Sequence, residues 1–354
     1  MSSAQGWSRR GLGFGLGASA LAPLLLGACA TPAARRLISI NLLDTDPAKG
    51  EPPTAVAAPT PAPEGFAKLE TAFDEAKRMV VPVYINGRGP FGFVVDTGAN
   101  RSVVASELVE TCALPSAGQA DVHGIAGAEP ANLAAVKRLA VGEVVSSNLA
   151  MPTLPRARLG ADGLLGVDIL RNRTMMLNFA QNRFEISNSN LGTDIGRDAN
   201  SRIPSHIDPI HVGATYRNGQ LVILDAQVGE TPVSAFLDSG SQVTVGNIAL
   251  RDAVVRTVPD FGVRLAPVPL ISATGQTATG QFAPLPTLRL GGMAVHQVMG
   301  IFAQLHIFDL WKLNDRPAIL IGIDVLRHFH DVTLDFGRKQ VIFTPALPGE
   351  RTRG

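Results

Sequence analysis

Short apolar runs separated by turn-forming residues recur along most of this chain, and long amphipathic helical patterns are scarce. Four clear runs are Val80–Ile85, Phe91–Val95, Leu221–Leu224 and Val341–Phe343. Runs of this length, bounded by glycine, proline, asparagine or aspartate, are typical of buried β-strands. The pattern therefore predicts an all-β fold.

Two of the apolar runs lead into the same short phrase. The first copy ends in Asp96–Gly98, and the second, 142 residues later, ends in Asp238–Gly240. Each copy delivers an Asp, a small hydroxyl residue and a Gly to a tight turn. Two such turns can supply two carboxylates that face each other across a pseudo-twofold axis.

The repeat extends well beyond this phrase. The segment Gly163–Arg171 matches Leu320–Arg327, and a glycine and a proline match upstream of each Asp. A unit of roughly 110 to 140 residues is therefore duplicated, which is a usual size for one domain. The predicted organisation is a signal at 1–28, an Ala/Pro-rich linker at 29–77, a first lobe at 78–190, an inter-lobe linker at 191–206, a second lobe at 207–346 and a tail at 347–354.

Composition and charge narrow the class of protein. The 354 residues are 45% hydrophobic and 17% charged, with a net charge of +1. Such a chain can bury a sizeable core, and it lacks the charge excess of disordered or nucleic-acid-binding proteins. No nucleic-acid partner is expected.

The N-terminus has the features of an export signal. Arg9 and Arg10 precede an apolar stretch, residues 11–28, that is short for a permanent membrane span and ends at Cys29. The segment resembles a bacterial lipoprotein signal, with a partial twin-arginine pattern. This resemblance implies lipidation of Cys29 and anchoring at the periplasmic face of a membrane. An ordinary cleaved signal with an incidental Cys is the alternative.

The two Asp phrases resemble those of the aspartic protease superfamily. Residues 96–104 are similar to the active-site phrase of its retroviral branch, and Ile319–Phe329 resembles a strand–Gly–helix segment of its pepsin-like branch. The resemblance covers about residues 78 to 346. It implies a bilobal pepsin-like fold, made of two duplicated retropepsin-like β-barrel lobes with the active site between them.

Asp96 and Asp238 are the predicted catalytic residues. Two facing carboxylates that share one proton can activate water, one acting as base and the other as acid. Neither a metal nor an organic cofactor is needed. The residues expected to support the two turns are Thr97, Gly98, Ser239, Gly240 and Ser241.

A glycine-rich segment in the first lobe resembles the flap hairpin of the retroviral enzymes. The predicted substrate-binding flap residues are His123, Gly124, Ile125, Ala126 and Gly127. For His123, an exposed hairpin histidine without contact to substrate is an equally weighted alternative. In the second lobe, Ile271–Thr277 is a weaker match to a flap.

The residue after each turn glycine differs, which suggests different roles for the two acids. Ser241 could donate a hydrogen bond to its carboxylate and favour the charged form, whereas Ala99 could not. We therefore expect Asp238 to ionise more readily and Asp96 to hold the shared proton more often.

Other acidic and histidine residues admit structural explanations. Asp168 and Asp324 also repeat, and each is predicted to stabilise the first turn of a helix. His328 and His330 lack a third ligand at suitable spacing, so a solvated segment is favoured over a metal site. Cys112 is expected to be buried.

These observations favour an exported aspartic endopeptidase that cleaves an extended polypeptide between its lobes. A non-catalytic peptide-binding module that uses the same cleft is the alternative. Because the duplication provides both acids in one chain, we expect a monomer that is an internal pseudo-dimer.

Overall fold

The computed structural model describes residues 38–41, 66–188, 208–217 and 219–346. All of them belong to one compact unit, residues 36–354. The predicted signal at 1–28, the lipidation site Cys29, the inter-lobe linker at 191–206 and the tail at 347–354 lie outside the described residues.

The first half of the chain contributes twelve of the described strands. They are β1 (Ile38–Asn41), β2 (Phe66–Glu70), β3 (Ala72–Phe73), β4 (Met79–Ile85), β5 (Arg88–Val95), β6 (Val103–Ala105), β7 (Ser116–His123), β8 (Ala128–Val141), β9 (Val144–Leu154), β10 (Gly163–Leu165), β11 (Arg173–Asn178) and β12 (Arg183–Asn188).

The second half of the chain contributes the rest. They are β13 (Ile210–Arg217), β14 (Gln220–Ile223), β15 (Ala226–Val228), β16 (Thr231–Pro232), β17 (Ser234–Leu237), β18 (Val245–Gly246), β19 (Ala266–Ile271), β20 (Thr277–Pro284), β21 (Leu288–Leu290), β22 (Met293–His296), β23 (Met299–Phe302), β24 (Ala318–Ile321), β25 (Phe329–Asp335) and β26 (Gln340–Pro345).

Helices are short and lie at the ends of strands. They are α1 (Glu107–Thr111), α2 (Arg156–Leu159), α3 (Val167–Leu170), α4 (Ile248–Thr257), α5 (His306–Leu310), α6 (Ile323–Leu326) and a 3₁₀ turn at Phe261–Arg264. In the described part of the chain, none of the helices has the length and apolar character needed to cross a bilayer. The prediction of a mostly β protein is confirmed.

The first lobe is a closed barrel. Its strands follow the order β4, β5, β10, β6, β9 and β8, and β8 pairs back onto β4 to close the ring. The interior is filled by side chains such as Val81, Phe93 and Leu139, which have no exposed surface. Closure removes the unpaired strand edges that an open sheet would leave.

The strand arrangement around each Asp is the same in both lobes. β10 runs parallel to β5 and antiparallel to β6, while β24 runs parallel to β17 and antiparallel to β18. These central strands are continuous apolar runs because both of their faces are covered. The internal repeat seen in the sequence is therefore a structural repeat.

A sheet shared by the two halves joins the lobes. Within it, β11 of the first half pairs with β25 of the second half, from Thr174 opposite Asp335 to Asn178 opposite Asp331. β2, β12, β11, β25, β26 and β13 are neighbours in this order. The two halves of the chain are thus joined by backbone hydrogen bonds between their strands.

The prediction of an extended linker at 29–77 is wrong for the parts that form strands. β2 pairs with β12 at the edge of the shared sheet, and β3 pairs with β4. β1 pairs in parallel with β22 of the second lobe. These strands are too short to show a clear alternating pattern, and the partners of β1 and β2 are distant in sequence.

Candidate active site

Asp96 and Asp238 stand at the ends of equivalent strands. Asp96 follows β5, and its backbone N–H donates to Leu165 O at 3.0 Å; Asp238 follows β17, and its N–H donates to Ile321 O at 2.9 Å. In each lobe the neighbouring parallel strand therefore fixes the residue where the chain leaves the sheet. The predicted placement of both acids in tight turns is what the structure contains.

The hydroxyl residues Thr97 and Ser239 lock the two turns together. Thr97 Oγ1 donates to Leu237 O at 2.7 Å and accepts from the Ser239 N–H at 3.0 Å. Ser239 Oγ donates to Val95 O at 2.7 Å and accepts from the Thr97 N–H at 3.1 Å. All four bonds cross between the lobes and are buried, so they set the distance between the two aspartates.

Each carboxylate is oriented by its own turn. Asp96 Oδ1 accepts from the N–H groups of Gly98 and Ala99, both at 2.9 Å. Asp238 Oδ1 accepts from those of Gly240 at 3.1 Å and Ser241 at 3.0 Å. Among the described residues, none donates a hydrogen bond to either Oδ2 atom. One oxygen of each acid thus remains available to a water molecule.

The glycines of the two turns allow the acids to approach each other. A Cβ added to Gly98 would lie 2.5 Å from Asp238 Cγ, and one added to Gly240 would lie 2.3 Å from Asp96 Cγ. Any side chain at these positions would collide with the opposite carboxylate. The sequence Asp–hydroxyl–Gly therefore has a steric reason in both lobes.

Burial changes the acidity of both groups. It raises the pKa of Asp96 above its usual value, although hydrogen bonds from the turn and the charge of Arg78 act in the opposite direction. Burial and the neighbouring Asp96 charge raise the pKa of Asp238 to about 7. Two negative carboxylates at short distance repel each other, so the pair retains one proton below this pH.

The hydrogen bond that was expected from the Ser241 hydroxyl to the Asp238 carboxylate is not formed. The Ser241 hydroxyl donates to Val243 O at 2.8 Å, so it does not reach the Asp238 carboxylate. Only the backbone N–H of Ser241 makes that contact, and Ala99 provides the same bond in the first lobe. Burial raises the pKa of both acids, so which of them holds the shared proton more often stays a prediction.

Asp168 and Asp324 have a structural role that the sequence revealed only in part. Asp168 Oδ1 accepts from Ser102 Oγ at 2.7 Å, and Asp324 Oδ1 accepts from Thr244 Oγ1 at 2.8 Å. Both acids lie in the first turn of a short helix, as predicted. The hydroxyl partners lie 66 and 80 residues away along the chain, so the sequence did not reveal these bonds.

Both predicted flaps are β-hairpins. In the first lobe β7 and β8 enclose the turn at 124–127, and His123 pairs with Ala128. In the second lobe β19 and β20 enclose the turn at 272–276, and Ile271 pairs with Thr277.

The first-lobe flap is docked onto the second lobe. His123 Nδ1 lies 2.8 Å from His306 Nε2, with the rings stacked, and Ile125 packs on an apolar cluster of the second lobe. Gln276 of the opposite flap donates to Ala128 O at 3.3 Å. The structure thus shows the flaps in contact with each other, and His123 has a partner that the sequence did not reveal.

The prediction that His328 and His330 lie in a solvated segment is wrong. Their exposed fractions are 6% and 4%, and burial lowers the pKa of His328 to about 4. His330 Nδ1 lies 2.8 Å from Asp331 Oδ2. His330 lies in β25, whose residues are all buried, and His328 directly precedes this strand. Among the described residues, no three His, Cys, Asp or Glu side chains are grouped to hold a metal ion. Cys112 is buried, as predicted.

Comparisons with known proteins concern the first lobe and the fold. Residues 81–169 match the sequence model of a family described as "Aspartyl protease". No curated protein sequence matches the chain.

Three solved structures are among those similar to this chain. An aspartic proteinase from Irpex lacteus is 12% identical, with a TM-score of 0.45 over 81% of this chain and 100% of that one. Conglutin gamma from lupine seeds is 11% identical, with a TM-score of 0.43 over 80% and 95%. A retropepsin-like aspartic protease from Rickettsia conorii is 16% identical, with a TM-score of 0.29 over 39% and 92%.

Proposed function

We propose that this chain, which belongs to the aspartic protease superfamily, is an endopeptidase whose water nucleophile is activated between Asp96 and Asp238. The observation that carries the proposal is the reciprocal packing of the two Asp turns. Each turn glycine faces the opposite carboxyl group, and four buried hydrogen bonds hold the turns in this arrangement.

The reaction follows from one proton shared by two acids. The ionised carboxylate accepts a proton from water as the water oxygen attacks the scissile carbonyl. The protonated acid of the pair donates to the developing oxyanion, and a proton then passes to the departing amine. No other group is needed to move these protons.

An extended polypeptide is the substrate class that suits this cleft. The turns lie between two lobes, and a hairpin from each lobe reaches the region where substrate would bind. Extended chains can pair with hairpin edges through backbone hydrogen bonds, which requires little of the side-chain sequence. Because the flaps touch in the structure, they have to part before a chain can enter.

Peptide-library digestion by the full-length chain tests the proposal. We expect internal cleavage that an inhibitor mimicking the tetrahedral intermediate suppresses, at a rate per molecule that does not depend on protein concentration. Binding of peptides without any cleavage would instead indicate a recognition module.

We further propose that the protein is exported and anchored through a lipid on Cys29, at the periplasmic face of a membrane. The support is the apolar stretch that ends at this cysteine. Cells that produce the Cys29→Ser variant should release the protein from the membrane fraction. Retention of the variant in that fraction would contradict a lipid anchor at this residue.

A further inference from the structure

Two residues related by the internal repeat reach across from one lobe to the turn of the other. Arg78 precedes Asp96 by 18 positions, and Gln220 precedes Asp238 by the same number. Arg78 Nη1 donates to Gly240 O at 3.4 Å, and Gln220 Nε2 donates to Gly98 O at 3.0 Å. Equivalent donors thus bind equivalent carbonyls, but one is a cation and the other is a neutral amide.

The guanidinium of Arg78 is held in place by groups other than the Asp238 turn. Its Nε donates to Asp74 Oδ2 at 2.7 Å, and its Nη2 donates to Leu159 O at 2.6 Å. The side chain is only 12% exposed. A Cβ on Gly160 would lie 2.8 Å from Nη2, so a side chain at position 160 would collide with the guanidinium.

Gln220 is fixed just as firmly, without charge. Its exposed fraction is 3%, and Nε2 also donates to Asn100 Oδ1 at 2.8 Å. The second lobe therefore supports the Asp96 turn by hydrogen bonding alone. The first lobe supports the Asp238 turn by a contact that also brings a permanent positive charge.

We propose that Arg78 is a positioning residue for the two aspartates, which holds the Asp238 turn from the opposite lobe and supplies the positive charge that its counterpart Gln220 lacks. The inference rests on the proposed peptidase function, because it concerns the proton shared by that pair.

The charge has a definite direction of effect. Burial favours the neutral form of both acids, and Arg78 lowers the pKa of each against that tendency. The charged groups that face this region are Asp74, which pairs with the other edge of the guanidinium, Arg78 and the two aspartates themselves. Arg78 therefore keeps one of the two carboxylates ionised to lower pH than burial alone would allow.

The Arg78→Gln variant tests the proposal, since it gives both lobes the same neutral donor. The lower apparent pKa of the pair is followed by ¹³C NMR of labelled aspartates in the full-length chain, with signals assigned from Asp96→Asn and Asp238→Asn. In Arg78→Gln this pKa should rise by on the order of one unit, and the acidic limb of the kcat profile should move with it. Arg338→Gln, which removes an exposed arginine paired with Asp335, should change neither.

Arg78→Lys separates charge from contact. It should keep the lower pKa close to the wild-type value while kcat falls by about tenfold, because a lysine cannot hold Asp74, Leu159 and the turn together. An unchanged pKa in folded Arg78→Gln, or a shift of equal size in Arg78→Lys, would overturn the proposal. A shifted pKa in a protein that cleaves nothing would uphold Arg78 and contradict the peptidase function instead.

Discussion

At the scale of the residue, the site depends on two hydroxyl groups that each serve a donor and an acceptor of the opposite lobe. The motif Asp–Thr/Ser–Gly could be recognised in the sequence because it occurs twice with the same neighbours. The hydrogen-bond partner of the Ser241 hydroxyl could not be predicted. A hydroxyl can donate to any acceptor within reach, and in the folded chain the Ser241 hydroxyl donates to Val243 O and not to the Asp238 carboxylate.

Thr97→Val keeps the shape of the side chain and removes its hydroxyl. Leu237 O and the Ser239 N–H would then lack their partner in a buried position, so unfolding should require about 2 to 4 kcal/mol less free energy. Urea denaturation measures this loss, and kcat should fall with it as the turns separate. Thr97→Ser is the matched control, since it retains the hydroxyl; equal losses in both variants would show that the hydroxyl is not the cause.

Ser241→Ala should leave the pH dependence of cleavage unchanged. The hydroxyl that this variant removes is bonded to Val243 O, while the backbone N–H that contacts Asp238 remains. The measurement is kcat from about pH 3 to about pH 8, a range that covers the titration of a carboxyl pair. A displaced acidic limb would mean that Ser241 contacts the carboxylate after all.

At the scale of the element, the hairpins are the parts of the molecule that must move. Their strands and glycine-rich turns were predicted from the sequence, because hairpin formation is local. Their docking was not, since His123 and His306 meet only when the two lobes are assembled. The same limit explains why β2, whose partner β12 is more than 100 residues away, was missed, while β5 and β17 were found from their apolar runs.

Gly124→Ala should prevent the flaps from closing. A Cβ at this position would lie 2.2 Å from Ser272 Oγ and 2.3 Å from Thr274 Oγ1. We expect kcat/KM for peptides to fall by about tenfold or more, with little change in Tm, because the hairpin itself is not strained. Gly292→Ala, where a Cβ meets nothing within 4 Å, is the control. Unaltered kcat/KM in Gly124→Ala would indicate that flap closure does not limit catalysis.

At the scale of the whole molecule, one shared sheet and one pair of turns make two lobes act as a single site. The duplication, the number of lobes and the two acids could be predicted from the sequence. The shared sheet could not, because its order joins strands more than 150 residues apart, such as β11 and β25. The burial of His328 and His330, which lie next to and within β25 of that sheet, was missed as well.

Buried His328 should make the fold sensitive to acid. Its pKa of about 4 lies below the usual 6.5 of an unfolded chain. Unfolded protein therefore binds the extra proton first, and stability is lost as pH falls from about 6.5 towards 4, by up to about 3 kcal/mol. The raised pKa values of Asp238 and Asp324 act in the opposite direction, so the informative quantity is a difference. The difference in free energy of unfolding between His328→Gln and wild type should shift steadily in favour of the variant as the pH falls through this range. A difference that does not depend on pH would contradict the lowered pKa of His328.

The most direct measurement is the rate of peptide cleavage by Asp96→Asn and by Asp238→Asn, each compared with the wild-type chain and followed by mass spectrometry. Both variants keep the size of the side chain and lose an ionisable oxygen in the centre of the cleft. If one proton shared by two carboxyl groups activates the water, each single substitution should lower kcat by about a thousandfold or more. Cleavage at near wild-type rate by either variant would contradict the account.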